Sequence, residues 1–116
     1  MIKSFSNFNR RGKYNAKRSK CWAGHFHASR LEARVCDRLL SKVQGGEIKS
    51  YESQVKFPLT QAGQHITNHF VDFLLTHLDG RKEVWEAKGH PTQIWVLKMK
   101  MFIANYPDIK YTVVKK

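Results

Sequence analysis

From Ser29 to about Val43 the apolar positions keep a helical period. Leu31, Val35, Leu39 and Val43 recur at every fourth position, with Cys36 and Leu40 beside them. Ser29-Arg30-Leu31-Glu32 has the form of a capping box, and Gly45-Gly46 marks the helix end. Two runs then read as strands, residues 51–59 and 66–76, parted by the turn-prone Gln61-Ala62-Gly63-Gln64. Asp79-Gly80 is a hairpin signal ahead of a third strand over roughly 82–88. Pro91 opens a second helix, about 92–105, with Ile94, Leu97, Met101 and Phe102 expected inward. Pro107 stops it, and Ile109 to Val114 reads as a last strand. The order α-β-β-β-α-β, without internal repeat, predicts one mixed α/β (α+β) domain.

Three charged positions interrupt this pattern. On a wheel of about 100° per residue, Glu32 falls between Val35 and Cys36, on the side that also carries Leu39 and Val43. Arg30, Arg34 and Arg38 take the opposite side. An unpaired carboxylate costs several kcal/mol to bury, so Glu32 calls for a cation, a metal or a donor; completing the capping box is its plainer use. Asp72 lies inside Phe70-Val71-Asp72-Phe73-Leu74-Leu75, a strand that is apolar on both faces. Its plainer use is a backbone partner at a bulge. Glu86 and Lys88, after Val84-Trp85, share one strand face about 6–7 Å apart. An exposed edge strand would carry such an alternation too.

The hairpin loop decides whether these groups meet. A two-residue turn at Asp79-Gly80 would set Phe73 opposite Glu86. A three-residue loop, Leu78-Asp79-Gly80 with Gly80 left-handed, sets Asp72 there instead, and this loop is the one predicted. Two carboxylates would then stand about 4.5–5.5 Å apart and repel unless a divalent cation lay between them. Hard cations such as Mg²⁺ take a few carboxylates and keep positions for water and phosphate oxygens. A nearby lysine can position water or stabilise charge developing on phosphate. Acid, acid and acid-x-lysine outline a metal-dependent phosphodiesterase site.

Composition narrows the partners. In a chain of 116 residues, 21 Lys and Arg face nine Asp and Glu, for a net charge of +12. Nucleic acid is the default polyanion for such a body. Residues 1–24 hold seven of the cations and no acid, and read as an irregular basic arm. Arg10, Arg11, Lys13, Lys17, Arg18 and Lys20 are its expected DNA contacts, Lys3 being the seventh cation. With 41% apolar residues the chain can build a core, although its mean hydropathy is -0.54. No apolar run is long enough for a membrane span, and no signal peptide is read, so the cytoplasm is expected. Two Cys outside any CxxC pattern suggest a reducing compartment. Cys21, His25, His27 and Cys36 fit no usual zinc spacing. His65, His69, His77 and His90 have no ligand spacing either, and His77 and His90 read as surface. Trp22, Trp85 and Trp95 are candidate stacking residues, with Trp85 better read as core. No Walker glycine loop is present, so no nucleotide cofactor is expected.

Glu32, Asp72, Glu86, Ala87 and Lys88, taken with the element order, resemble the PD-(D/E)XK nuclease superfamily. Gly24-x-Phe26-x-x-Ser29-x-x-Glu32-Ala33, Gln54-x-x-Phe57 and Asp72-Phe73 further resemble a small phage-borne family within it, labelled as a domain of unknown function. The sequence departs in having Val71, not Pro, before Asp72, and Glu86 rather than Asp before the x-Lys. The resemblance implies a restriction-endonuclease-like αβββαβ core over residues 25–116, with a central mixed sheet flanked by helices. It implies catalytic Glu32, Asp72, Glu86 and Lys88, with Mg²⁺ or Mn²⁺ on Asp72, Glu86 and the Ala87 carbonyl. Glu32 would support a second ion or a metal-bound water, and Lys88 would help activate the attacking water. Products would carry 5′-phosphate and 3′-hydroxyl ends. Gln54 is a candidate for site support, and Lys98 for contact with the scissile phosphate or for snorkelling. The expected activity is a DNA endonuclease selective for branched DNA, four-way (Holliday) junctions included, acting as a homodimer in the cytoplasm, that of the host if phage-encoded. The alternatives are a nicking or double-strand nuclease of low selectivity, a non-catalytic basic nucleic-acid-binding module, and a degenerate nuclease fold kept as a scaffold.

Overall fold

The computed structural model describes residues 19–20, 26–27 and 29–115. Two short strands, β1 (Ser19–Lys20) and β2 (Phe26–His27), pair antiparallel ahead of helix α1 (Arg30–Gln44). The arm expected to be irregular through residue 24 therefore contributes one side of a short ladder. Four strands follow in one sheet: β3 (Ser50–Gln61), β4 (Gln64–Thr76), β5 (Lys82–Ala87) and β6 (Lys110–Val114). Their spatial order is their chain order. Only β5 and β6 run parallel, joined by the crossover helix α2 (Gln93–Asn105). This is an α+β fold with helices flanking a mixed sheet.

Local chemistry accounts for the ends of the helices. Ser29 Oγ accepts from the Glu32 N–H at 3.2 Å, and Thr92 Oγ1 accepts from the Trp95 N–H at 3.1 Å. Two apolar clusters then form. Ala33, Val35, Cys36 and Leu39 of α1 pack with Phe73 and Leu75. Phe102 of α2 packs with Leu59, Val71, Leu74 and Val84. Around Phe102 the rings of Phe57, Tyr106 and Tyr111 lie 4.9, 4.9 and 5.2 Å away. Burying each such side chain contributes roughly 1.5–3 kcal/mol.

The face of α2 differs from expectation. Phe102 is buried and Met101 half-buried, but Ile94 is 67% exposed and Leu97 59%. The helix is apolar almost all round, so period alone does not choose its face. The larger area of Trp95, Phe102 and Tyr106 turns that side to the sheet. Phe70 is also exposed, so β4 is apolar on both faces only from Val71 onward.

The β4–β5 hairpin has the three-residue loop. His77 N–H donates to the Arg81 carbonyl at 2.8 Å, and Gly80, at φ 92°, donates to His77 at 3.0 Å. The register runs from Thr76↔Lys82 to Phe73↔Trp85, which carries Asp72 to the level of Glu86. Between β3 and β4 the ladder breaks at the same level. Ser53 pairs with Phe73 and Val55 with Val71, while Gln54 adopts φ 53°. Face alternation breaks there too: Tyr51 and Phe73 pack on the α1 side, Val55 and Val71 on the α2 side. The hairpin rolls over at Gln54 and Asp72.

Candidate functional site

Helix α1 places Glu32 one turn past its cap on the inward face, 7% exposed, while Arg30, Arg34 and Arg38 face out. The rolled segment of β3 and β4 then meets it. Gln54 Nε2 lies 3.3 Å from Glu32 Oε2 and 3.3 Å from Asp72 Oδ1, so one amide bridges two carboxylates. The left-handed backbone at Gln54 costs about 1 kcal/mol for a residue with a Cβ. That strain sits where the side chain must leave the strand's ordinary alternation to reach both acids.

Asp72 and Glu86 interlock through the backbone. Asp72 Oδ2 accepts the Ala87 N–H at 2.9 Å, and Glu86 Oε2 accepts the Asp72 N–H at 3.0 Å. The β4–β5 pairing ends at Phe73↔Trp85, and these two carboxylates tie the strands together beyond it. The other Glu86 oxygen is held by α2, β4 and β6. Oε1 accepts from the Tyr111 hydroxyl at 2.7 Å and from Trp95 Nε1 at 3.4 Å, with His69 Nε2 at 3.2 Å. His69 Nε2 also lies 2.8 Å from the Tyr111 oxygen. Since the single phenol proton goes to Glu86, the Nε2 nitrogen carries a hydrogen. Glu86 and His69 are each 2% exposed. Burial pushes up the Tyr111 hydroxyl, and the neighbouring Glu86 carboxylate adds to it.

His69 and Tyr111 escaped the sequence reading. They lie far apart in the chain, and only the β5–β6 pairing and the aromatic packing around Phe102 bring them to Glu86. The sole signal was a histidine inside a strand bound for the core. His77, read as surface, is half-buried against Glu83 at 2.8 Å. Trp95, read only as a stacking candidate, does two things here. Its N–H meets Glu86, and its ring lies 5.3 Å from Lys88 Nζ. Lys88 is anchored by its own N–H on the Val114 carbonyl at 3.0 Å.

The electrostatics are uneven. Burial, then the charges of Glu86 and Glu32, raise the Asp72 carboxyl from 3.8 to about 8. Burial pushes Glu86 upward too, but hydrogen bonds from His69, Asp72 and Tyr111 outweigh it and hold it at about 2. Of the two, Asp72 is the carboxyl pushed towards its protonated form and Glu86 the one held ionised. Among the described residues no three His, Cys, Asp or Glu side chains form a ready-made metal cage. The reason is visible in the hydrogen bonds, which turn Asp72 onto Ala87 and Glu86 onto Tyr111. The donor set nevertheless suits a hard divalent cation: three carboxylates gathered at one level, with excess negative charge.

Of the expected DNA contacts, Arg10, Arg11, Lys13, Lys17 and Arg18 lie outside the described residues, and Lys20 sits in β1. Lys98 is half-buried on α2, and among the described residues no hydrogen bond or ion pair joins it to the carboxylates. Cys21 and His25 also lie outside. Cys36 is core, its Sγ 3.3 Å from the Tyr51 hydroxyl. Among the described residues no helix is long and apolar enough to cross a membrane.

Helices on both faces of a four-stranded mixed sheet, and three carboxylates linked at one level of it, define an α+β protein with a buried acidic site. The chain belongs to the family described as "Protein of unknown function (DUF1064)", which matches residues 11–116. No curated protein and no solved structure matches it.

Proposed function

We propose that the protein is a metal-dependent DNA endonuclease of the PD-(D/E)XK kind that hydrolyses phosphodiester bonds. The observation that carries this is the meeting of Glu32, Asp72 and Glu86, from α1, β4 and β5, where burial first and the acidic neighbours second push the Asp72 carboxyl up. Asp72, Glu86 and the Ala87 carbonyl would hold Mg²⁺ or Mn²⁺, with Glu32 beside them. The ion would supply Lewis-acid stabilisation of phosphate oxygens and favour an ionised water as nucleophile. The protein's own groups orient these parts. Gln54 fixes the spacing of Glu32 and Asp72, and Tyr111, His69 and Trp95 fix Glu86. The Lys88 ammonium, 5.3 Å from the ring of Trp95, would stabilise charge developing on the phosphate.

The net charge of +12 suits recognition of phosphate and shape more than base reading, and branched DNA is the substrate class we favour. A homodimer in the cytoplasm would place two sites for paired cuts. The test incubates the protein with Mg²⁺ and an end-labelled four-way junction, beside a linear duplex of the same arm sequence, with Lys88→Ala as control. Paired cuts in the junction alone, absent in the variant, are the expected result. Equal cutting of both removes the selectivity and leaves a nicking or double-strand nuclease.

One observation favours a second reading, a nucleic-acid-binding module without catalysis. Both oxygens of Glu86 are taken by protein donors, as a purely structural anion's would be. Binding without cutting, in Mg²⁺ and in Mn²⁺, would decide for it.

A further inference from the structure

On the other side of the strand end that carries Ala87 and Lys88 lies a groove of about 400 Å³ between α1 and the end of β6. Its lining is Leu31, Arg34, Val35, Arg38, Val114 and Lys115. Three of the six are cations and three are apolar. Among the described residues Arg34, Arg38 and Lys115 form no ion pair. The Arg38 guanidinium is held over Trp85, 5.2 Å from the ring centre, which fixes its place on the rim. Arg30, Arg34, Arg38 and Lys42 recur at every fourth position of α1, a repeat of about 6 Å along the axis. The lone acid near this row on the helix is Asp37, half-buried.

The groove adjoins the strand end beside the acidic site. Val114 pairs with Ala87, and its carbonyl accepts the Lys88 N–H. A chain of phosphates passing the carboxylates would reach cations on leaving them. An apolar floor under a cationic rim matches a nucleotide, which pairs an anionic backbone with a planar face.

We propose that this groove is a subsite for a nucleic-acid strand flanking the cut, taking phosphates on Arg34, Arg38 and Lys115 and a nucleotide face over Leu31 and Val114. Its position relative to the cut rests on the nuclease reading; strand binding does not.

The test measures anisotropy of a fluorescein-labelled single-stranded oligonucleotide in EDTA over a series of salt concentrations. The variants are Arg34→Gln/Arg38→Gln/Lys115→Gln and, as a charge-matched control, Lys49→Gln/Lys82→Gln/Lys100→Gln. The groove variant is expected to bind about tenfold or more weakly, with a salt slope shallower by about two; the control changes less than about threefold. Equal losses in both would overturn the proposal, since net charge alone would explain them. Unchanged binding in the groove variant would overturn it as well. Should Arg38→Gln lower the melting temperature, Arg34→Gln/Lys115→Gln carries the comparison with an expected loss of about fivefold. A wild-type dimer that the groove variant dissociates, with strand affinity kept, would make this face an interface between copies and end the proposal. Cleavage of the junction in Mg²⁺ is read in parallel. Wild type that never cuts, with the binding loss intact, refutes the nuclease and keeps the groove. Normal cutting with no binding loss does the reverse.

Discussion

Two buried glutamates stand three positions apart on β5 and have opposite surroundings. Glu83, near the hairpin, accepts from Thr112 Oγ1 at 2.6 Å and Trp85 Nε1 at 2.8 Å, and meets His77 Nε2 at 2.8 Å. Burial pushes its pKa up, but these donors and Lys110 outweigh that and hold it low. No other carboxylate adjoins it in that set. Glu86 has one partner more, yet it shares its level of the sheet with Asp72 and Glu32. Burial with donors makes a structural anion. Burial beside further anions pushes a carboxyl up instead, as at Asp72, and this added crowding distinguishes the level of Glu86 from that of Glu83.

The largest expected effect follows from exchanging the two glutamates for their amides. Glu86→Gln is expected to lower junction cleavage about a thousandfold, and Glu83→Gln by less than about threefold. Stability should move the other way round: Glu83→Gln loses bonds to a charged group, about 1.5–3 kcal/mol by urea denaturation. Glu86→Gln loses similar bonds but relieves repulsion on Asp72, so its net loss is smaller. Equal effects of the two substitutions on cleavage would erase the distinction between these regions.

The next effect separates them by pH. The folded Asp72 carboxyl, at about 8 against an ordinary 3.8, keeps a proton that the unfolded chain has already released. Its stabilisation is complete below pH 3.8 and is lost as pH rises through about 8. Glu86, at about 2 against 4.5, works oppositely: its contribution is present above pH 4.5 and is lost towards pH 2. Without divalent metal the melting temperature should therefore fall between pH 5 and 8, with Asp72→Asn flattening that slope. Mn²⁺ should raise the melting temperature more at pH 8 than at pH 5, and not at all in Asp72→Asn. A Mn²⁺ shift independent of Asp72 would place any bound ion elsewhere.

How much of this could be read beforehand depended on distance along the chain. The hairpin was legible because Gly80 selects a loop, and the loop sets the register that brings Asp72 to Glu86. Glu32 was legible from the helix period, and Gln54 from its place in a motif. Three features were not. The face of α2 could not be read from a helix with too few polar positions to mark one. The clamp on Glu86 combines β4, α2 and β6, whose meeting depends on how the sheet is covered. The conformation of Gln54 was also hidden, because nothing local distinguishes it from a regular strand residue.

The clamp offers a smaller effect. Tyr111→Phe removes one donor from Glu86 Oε1 and leaves the ring in its aromatic cluster. The expected result is Mn²⁺ affinity weaker by about 10–100-fold, read by calorimetry. Thr112→Val, which removes a donor from Glu83 instead, should leave that affinity unchanged. If the two variants weaken Mn²⁺ equally, the clamp has no special bearing on the site.

The smallest effect compares the two left-handed residues that are not glycine, Gln54 at φ 53° and Ala62 at φ 51°. Ala62 lies in the β3–β4 turn, where only backbone geometry is needed. Ala62→Gly should therefore stabilise the protein, by about 0.5–1 kcal/mol, because it removes a Cβ from a strained conformation. Gln54→Gly gains the same relief but loses the amide between Glu32 and Asp72. Those carboxylates would then face each other without their bridging donor, so little or no net stabilisation is expected. Denaturation curves of the two variants at pH 5 and 8 test this directly. At pH 8 Asp72 approaches half-ionisation, the missing amide matters more, and Gln54→Gly should fall further below Ala62→Gly than at pH 5. A constant difference between the two variants would mean that the strain at Gln54 serves the turn of the strand and not the acids beside it.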